Sequence, residues 1–274
     1  MSLEWSPSPA APLCIGALAL EYACWGPPPA RAPTLVLLHE GLGSVGLWKD
    51  FPARLAQATG MGVFAYSRAG YGRSDPITLP RPLDFQTREA TEVLGPVLNA
   101  AGIGQAILLG HSDGATIAAI HAGSVSDQRI RGLILIAPHF FTEPEGLAAI
   151  HAAGKAYESG TLKAKLARHH NDVEGAFRGW HGVWTDPEFE SWDVADVIDH
   201  WRIPCLAIQG TADPYGTLAQ IAEIEGRIYA PFESLILADC GHAPHQEHTK
   251  ETLTAITAFC GRLDRLERVE VALA

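Results

Sequence analysis

The pentapeptide Gly110-His111-Ser112-Asp113-Gly114 lies where the apolar run Ala106–Gly110 gives way to the helical stretch ATIAAIHA. A serine on such a tight strand-to-helix turn sits in strained backbone, and only small residues two positions before and after it let the chain pass so closely. The turn lifts the hydroxyl clear of the sheet and aims the following helix's N-terminus at whatever reacts there. Ser112 therefore reads as a nucleophile; the competing reading of the pentapeptide is a glycine-flanked helix cap.

A serine hydroxyl attacks poorly unless a base takes its proton, and the base needs an acid to fix its tautomer. Two later strand ends offer both. CLAIQG runs into Thr211-Ala212-Asp213, and SLILA runs into Asp239-Cys240-Gly241-His242. A parallel sheet exposes the C-terminal ends of its strands along one edge, so Ser112, Asp213 and His242 can converge despite separations of 101 and 29 positions. Asp239 competes for the acid's role, but its place beside the histidine in sequence gives it poor facing geometry. Charge developing on a substrate oxygen needs backbone N–H donors. The residue after the nucleophile, Asp113, supplies one. The flexible loop His39-Glu40-Gly41-Leu42-Gly43-Ser44 supplies the other, with Gly41 preferred and Leu42 in reserve.

Other signals point elsewhere. Gly41 to Gly46 spells G-x-G-x-x-G between a strand and a helix, and Arg68 follows the second central strand, where an NADP enzyme would hold a 2′-phosphate. That reading leaves Ser112, Asp213 and His242 unexplained, and His-Glu before the first glycine is atypical of the fingerprint. His242, His245 and His248, with Glu247 between them, suggest zinc by spacing alone, yet one loop needs ligands converging from elsewhere and His242 is wanted as a base. His169 and His170 are expected on the surface, or in the pocket lining, of a helical insertion.

The elements that must position these residues are legible as short apolar runs: Thr34–His39, Gly62–Tyr66, Ala106–Gly110, Gly132–Ala137, Cys205–Gly210 and Ser234–Ala238. Without polar alternation, such runs suit strands buried on both faces of a parallel sheet. Helical periodicity over 45–58, 85–101, 112–122, 217–226 and 249–266 fills the gaps and points to a doubly wound α/β sheet. Residues 13–24 read as an N-terminal hairpin ended by Gly26-Pro27-Pro28-Pro29. Between Ala137 and Cys205 some sixty residues pass without a strand, carrying Trp180, Trp184, Trp192 and Trp201. The expected division is therefore a core of 1–139 and 203–274 with a helical cap over 140–202. Intervals of that length in a compact domain are usually functional, the plainer reading being a packing subdomain.

Composition narrows the function classes. The chain has 274 residues, 20 basic against 31 acidic, for a formal charge of −11. That excess repels phosphate backbones and anionic headgroups, so neither nucleic acid nor membrane is an expected partner. With 47% hydrophobic and 19% charged residues the chain can bury a sizeable core. The five cysteines, at 14, 24, 205, 240 and 260, show no paired spacing. The apolar run Leu13–Leu20 is bracketed by Glu4 and Glu21 with no basic residue before Arg31, so it lacks the charged flank of a signal peptide. A soluble, cytoplasmic protein is expected; the sequence does not specify an oligomeric state.

LLHEGLGS, SRAGYGRSD, GHSDG, QGTADPYGT and DCGHAPHQE, in that order, resemble the α/β-hydrolase superfamily along nearly the whole chain. Within it the sequence is similar to the esterase, enol-lactonase and meta-cleavage-product hydrolase group. The resemblance implies an α/β-hydrolase fold, a catalytic triad in the chain order Ser112, Asp213, His242, no metal or organic cofactor, and a lid at the place of 140–202. The sequence departs from the usual pattern where His39-Glu40 replaces His-Gly and Ser67-Arg68 replaces Asp-Arg, changes that bear on loop geometry and substrate. Glu40 and Asp113 would put two carboxylates near the site and disfavour an anionic substrate, unless both make structural or helix-dipole contacts. Glu40 and Leu42, with Phe177, Trp180, Trp184 and Trp192 of the insertion beside Phe189, are the expected substrate-contacting residues, suiting a small apolar or aromatic group; the aromatics would equally serve as a cap core. The expected activity is cofactor-independent hydrolysis of a small ester or lactone. Carbon–carbon hydrolysis of ring-fission products and a weakly catalytic small-molecule receptor are the alternatives.

Overall fold

The computed structural model describes residues 3–273, with side chains described through 266. Among the described residues nine strands form two sheets: β1 (Leu13–Ile15) and β2 (Leu18–Leu20) pair as a small antiparallel hairpin. The others are β3 (Tyr22–Trp25), β4 (Thr34–Leu38), β5 (Gly62–Tyr66), β6 (Ala106–His111), β7 (Ile130–Ile136), β8 (Cys205–Gly210) and β9 (Phe232–Leu237). They make one seven-stranded sheet in the order β3-β5-β4-β6-β7-β8-β9, in which only β3 runs antiparallel, against β5. The expected hairpin over 13–24 is thus two elements. Its second half leaves β2 at Glu21 and joins the main sheet, where Tyr22, Ala23 and Cys24 are buried.

The continuous apolar runs reflect two cores, one on each face of the sheet. Because successive side chains of a strand point to opposite faces, Val36 and Leu38 of β4 enter one core with Leu108, Leu133, Leu135 and Ala207. Leu35 and Leu37 enter the other with Leu109, Ile134, Ile136 and Ile208. The first face is covered by the helices Leu94–Ala100, Asp113–Ser124 and Ala219–Arg227, and the second by Phe51–Thr59 and Thr249–Leu273. The helix Asp113–Ser124 is buried on every side over Asp113–His121, which is why it carries no polar stripe. The edge strand β9 departs from the expected double burial: Ile236 is 40% exposed, since an edge strand has a single neighbour and looser cover. The expected helix over 85–101 is broken by a wide π turn at Glu89–Val93 that turns Glu89 and Ala90 inward.

Between β7 and β8 the chain forms the helices Pro144–Glu158, Thr161–Leu166 and Val173–Trp184 and the 3-10 turns Pro187–Phe189 and Ala195–His200. This segment has its own apolar cluster around Tyr157, Phe177, Trp180, Trp184 and Phe189. It returns to the sheet through Trp201, fully buried, whose indole N–H donates to the Ala119 carbonyl at 3.0 Å. Among the described residues no helix is long and apolar enough to cross a membrane.

Candidate active site

Ser112 follows β6 with φ 54° and ψ −121°, a left-handed-side conformation that costs a non-glycine residue energy and persists because its surroundings fix it. The Ser112 N–H donates to the Ile136 carbonyl of β7 at 2.9 Å, holding the turn against the neighbouring strand. The flanking glycines are required by space. A Cβ at Gly114 would collide with the carbonyls of Leu38 and His39, and one at Gly110 would collide with the backbone of Gly114 and Ala115.

His242 and Asp213 leave the C-terminal ends of β9 and β8. His242 Nδ1 lies 2.7 Å from Asp213 Oδ2. A carboxylate only accepts, so Nδ1 donates and Nε2 is left with its lone pair free. Asp213 is fixed in turn: Gln209 Nε2 donates to Oδ2 at 2.9 Å and the Tyr215 N–H to Oδ1 at 2.8 Å. Burial opposes ionisation of this carboxyl, but the hydrogen bond and charge of His242, with the Tyr215 N–H, draw it below the usual carboxylate range. Asp239, the sequence competitor, adopts φ 54° and donates its backbone N–H to Thr211 Oγ1 at 3.1 Å, while His242 pairs with Asp213. Two further residues hold the histidine's loop. Glu247 accepts the N–H groups of Gly241 and Ala243 at 2.8 and 3.0 Å, and His111 Nε2 donates to the His242 carbonyl at 2.6 Å. Glu247 is therefore a loop clamp rather than a metal ligand. Among the described residues no group of three or more His, Cys, Asp or Glu is arranged to hold a metal ion.

Ser112 and His242 line one pocket of about 130 Å³, together with Glu40, Gly41, Leu42, Asp113, Trp180 and Trp184. The backbone N–H groups of Gly41, Leu42 and Asp113 make no hydrogen bond among the described residues. Gly41 has to be glycine, because a Cβ there would strike the Trp180 indole. His139, Ile150 and Tyr215 complete the wall. His139 follows the C-terminal end of β7, a position whose only sequence signal was its place after a strand. Its Nε2 faces the Tyr215 carbonyl at 3.1 Å, and burial beside the His242 ring pushes its pKa down to about 4. Phe177 and Trp192 do not line this pocket. Phe177 stacks on Tyr157 at 3.7 Å, and Trp192 stacks on Phe189 at 5.0 Å, so both pack the insertion's own core.

Charges behind the pocket hold the loop 39–42. Arg68, buried to 1% exposure, donates from Nη1 to the His39 carbonyl at 2.5 Å and from Nη2 to the Glu40 carbonyl at 3.0 Å, while its backbone N–H donates to His39 Nε2 at 3.0 Å. Arg68 is thus buried and its two Nη groups are given to this loop rather than presented to a 2′-phosphate. Glu40 Oε2 stands 3.5 Å from His111 Nδ1. Burial works against the charge on Glu40, but the neighbouring His111 and His39 rings hold its carboxyl below the usual range. Asp113 Oδ1 accepts Gln86 Nε2 at 3.1 Å and Trp184 Nε1 at 3.2 Å. Burial pushes the Asp113 carboxyl up, against the pull of Arg68 and Arg81. His170 is neither insertion surface nor pocket lining. It is buried, accepts the Gly72 N–H at Nδ1 (2.9 Å) and donates from Nε2 to the Leu42 carbonyl at 3.0 Å, tying the insertion to the loop that precedes the pocket.

No curated protein sequence matches the chain. Solved structures do. Proline iminopeptidase from Mycobacterium smegmatis shares 20% identity over 93% of this chain and 99% of its own, with a TM-score of 0.69. The enol-lactonase from Burkholderia xenovorans LB400 shares 20% over 89% and 97%, with a TM-score of 0.68. A structure from work on carboxylesterases of the ammonia-oxidizing thaumarchaeon Nitrososphaera gargenis shares 20% over 90% and 96%, with a TM-score of 0.72. At such identities the likeness concerns the fold. Residues 35–255 match the Alpha/beta hydrolase family, and with most of the chain inside that match and the sheet order, the serine turn and the strand-end loops in place, the protein belongs to the alpha/beta hydrolase family.

Proposed function

We propose that the protein is a serine hydrolase cleaving a small carboxylic ester or lactone by two-step acyl transfer. The observation that carries this reading is the pairing of His242 Nδ1 with Asp213 at 2.7 Å, which leaves Nε2 free in the same pocket as the strained Ser112. Ser112 Oγ attacks the carbonyl carbon as His242 Nε2 takes its proton, and the imidazolium formed is stabilised by Asp213. The N–H groups of Asp113 and Gly41 receive the oxyanion. His242 returns the proton to the leaving alcohol, and water repeats the sequence on the acyl-enzyme.

The pocket limits the substrate. At about 130 Å³ it is close to the ~150 Å³ cavity that holds a single benzene ring, so short or monocyclic acyl groups are favoured over long chains. No Lys or Arg lines it while Glu40 and Asp113 do, which disfavours an anionic substrate. We place the 140–202 segment as a lid, since Trp180 and Trp184 reach from it into the pocket. A reducing, cytoplasmic setting suits five unpaired cysteines, four of them buried. Ser112→Ala should lower turnover of p-nitrophenyl butyrate by several orders of magnitude with an unchanged far-UV spectrum and melting temperature. Retention of full activity would remove Ser112 from the reaction.

A further inference from the structure

Asp113 has an oxygen that the protein leaves unused. The side chain is 1% exposed and lines the pocket, Oδ1 takes both available N–H donors, and Oδ2 is buried without a partner. A buried oxygen in that state costs free energy in the unliganded protein unless something in the pocket donates to it. It lies beside Gly41: a Cβ built there would stand 3.1 Å from Asp113 Oδ2 and in collision with Trp180 Nε1. Both atoms therefore border the oxyanion side of the pocket. Trp180 Nε1 makes no hydrogen bond among the described residues. An acceptor and a donor thus stand side by side near Ser112, and neither is used within the protein.

We propose that Asp113 Oδ2 and Trp180 Nε1 form a subsite for a hydroxyl group carried by the substrate within a few bonds of the scissile carbonyl. The inference rests on the hydrolase reading above and names its substrate class: hydroxy esters or hydroxy lactones. A hydroxyl fits because it donates to Oδ2 while accepting from the indole N–H, whereas an ammonium can only donate and an ether can only accept. The neighbouring wall agrees. His139 Nε2 faces a carbonyl and so carries the ring proton, which leaves Nδ1 as a second buried acceptor with no partner. Polar sites built in this way discriminate strongly, because an analogue lacking the matching group leaves them unpaired.

The test separates recognition from turnover. Ser112→Ala protein is titrated by tryptophan fluorescence with methyl butanoate, methyl 2- and 3-hydroxybutanoate, and the methyl ethers of the two hydroxy esters; the native protein is assayed on the same panel by pH-stat. One of the hydroxy esters is expected to bind roughly 10- to 100-fold more tightly than its ether and than the parent ester. Adding Asp113→Asn should reverse the preference. Gln86 and Trp184 both donate toward the Oδ1 position, so the amide oxygen turns to them and its NH2 group faces the pocket, where it favours the ether. A merely structural Asp113 would weaken all five esters alike. Dissociation constants within twofold across the panel, or a hydroxyl preference that survives Asp113→Asn, would overturn the subsite. A retained hydroxyl preference in binding with no turnover by the native protein upholds the subsite and counts against the acyl-transfer reading instead.

Discussion

In the proposed mechanism Asp213 is the residue on which the basicity of His242 depends. It receives three hydrogen bonds, from His242, Gln209 and the Tyr215 backbone, and its side chain is fully buried. Asp213→Asn keeps the shape but presents an amide to Nδ1, which favours the wrong tautomer. A fall in kcat of about 10⁴-fold is expected by analogy with other triads, read with p-nitrophenyl butyrate at pH 7.5; a loss of less than tenfold would move the acid's role elsewhere. The same substitution has a pH signature in stability. Because the folded carboxyl titrates below its ordinary 3.8, its ionised form stabilises the fold above that value, and the contribution disappears as pH falls through the lower folded value. The Asn variant should therefore lose less stability than the native chain on going from pH 4 to pH 2.

At the scale of elements, the site depends on how closely β4, β6 and the helix Asp113–Ser124 approach one another. Gly114 lies against the Leu38 and His39 carbonyls, with no room for a methyl group. Gly114→Ala must push the helix off β4, a form of overpacking that costs about 1–3 kcal/mol and also displaces the Asp113 N–H. A lowered melting temperature together with lost activity is expected. Gly104→Ala is the control, because a Cβ there meets nothing within 4 Å. Equal melting temperatures for the two variants would contradict the packing described. The insertion is tied to the same region through Trp184 on Asp113 and His170 on Leu42, so the pocket joins three elements far apart in the chain.

For the whole molecule, burial of neutral histidines sets the acid limit. His139 is held at about 4 and His245 at about 3 by burial and neighbouring rings, and His39 is pushed down by burial and Arg68. Above the unfolded value near 6.5 these groups are neutral in both states. As pH falls below it the unfolded chain gains protons that the folded chain refuses, so stability is lost down to the folded values. For His139 that loss amounts to about 3 kcal/mol by pH 4. Urea unfolding should give a steady free energy from pH 8 to 7 and a steep decline from 6.5 to 4, and His245→Gln should make the decline shallower by about one proton. A stability that does not change across that window would show that these rings take up protons within the fold.

The strands, their parallel sheet and the serine turn were legible in the sequence because each depends on local requirements: apolar runs, glycines where backbones touch, and helix periodicity between them. The loops bearing Asp213 and His242 were legible for the same reason, as short polar segments just past apolar runs. The fate of Tyr22–Trp25, the roles of His139, His170 and Glu247, and the separation of Trp180 and Trp184 from Phe177 and Trp192 were decided only by tertiary structure. Which way an aromatic on an insertion faces depends on how that insertion packs over the sheet, and a polar side chain's partners come from segments far off in the chain, as with His111 and His242, 131 positions apart. Local sequence specifies what an element is, and the choice of partner is made by long-range packing.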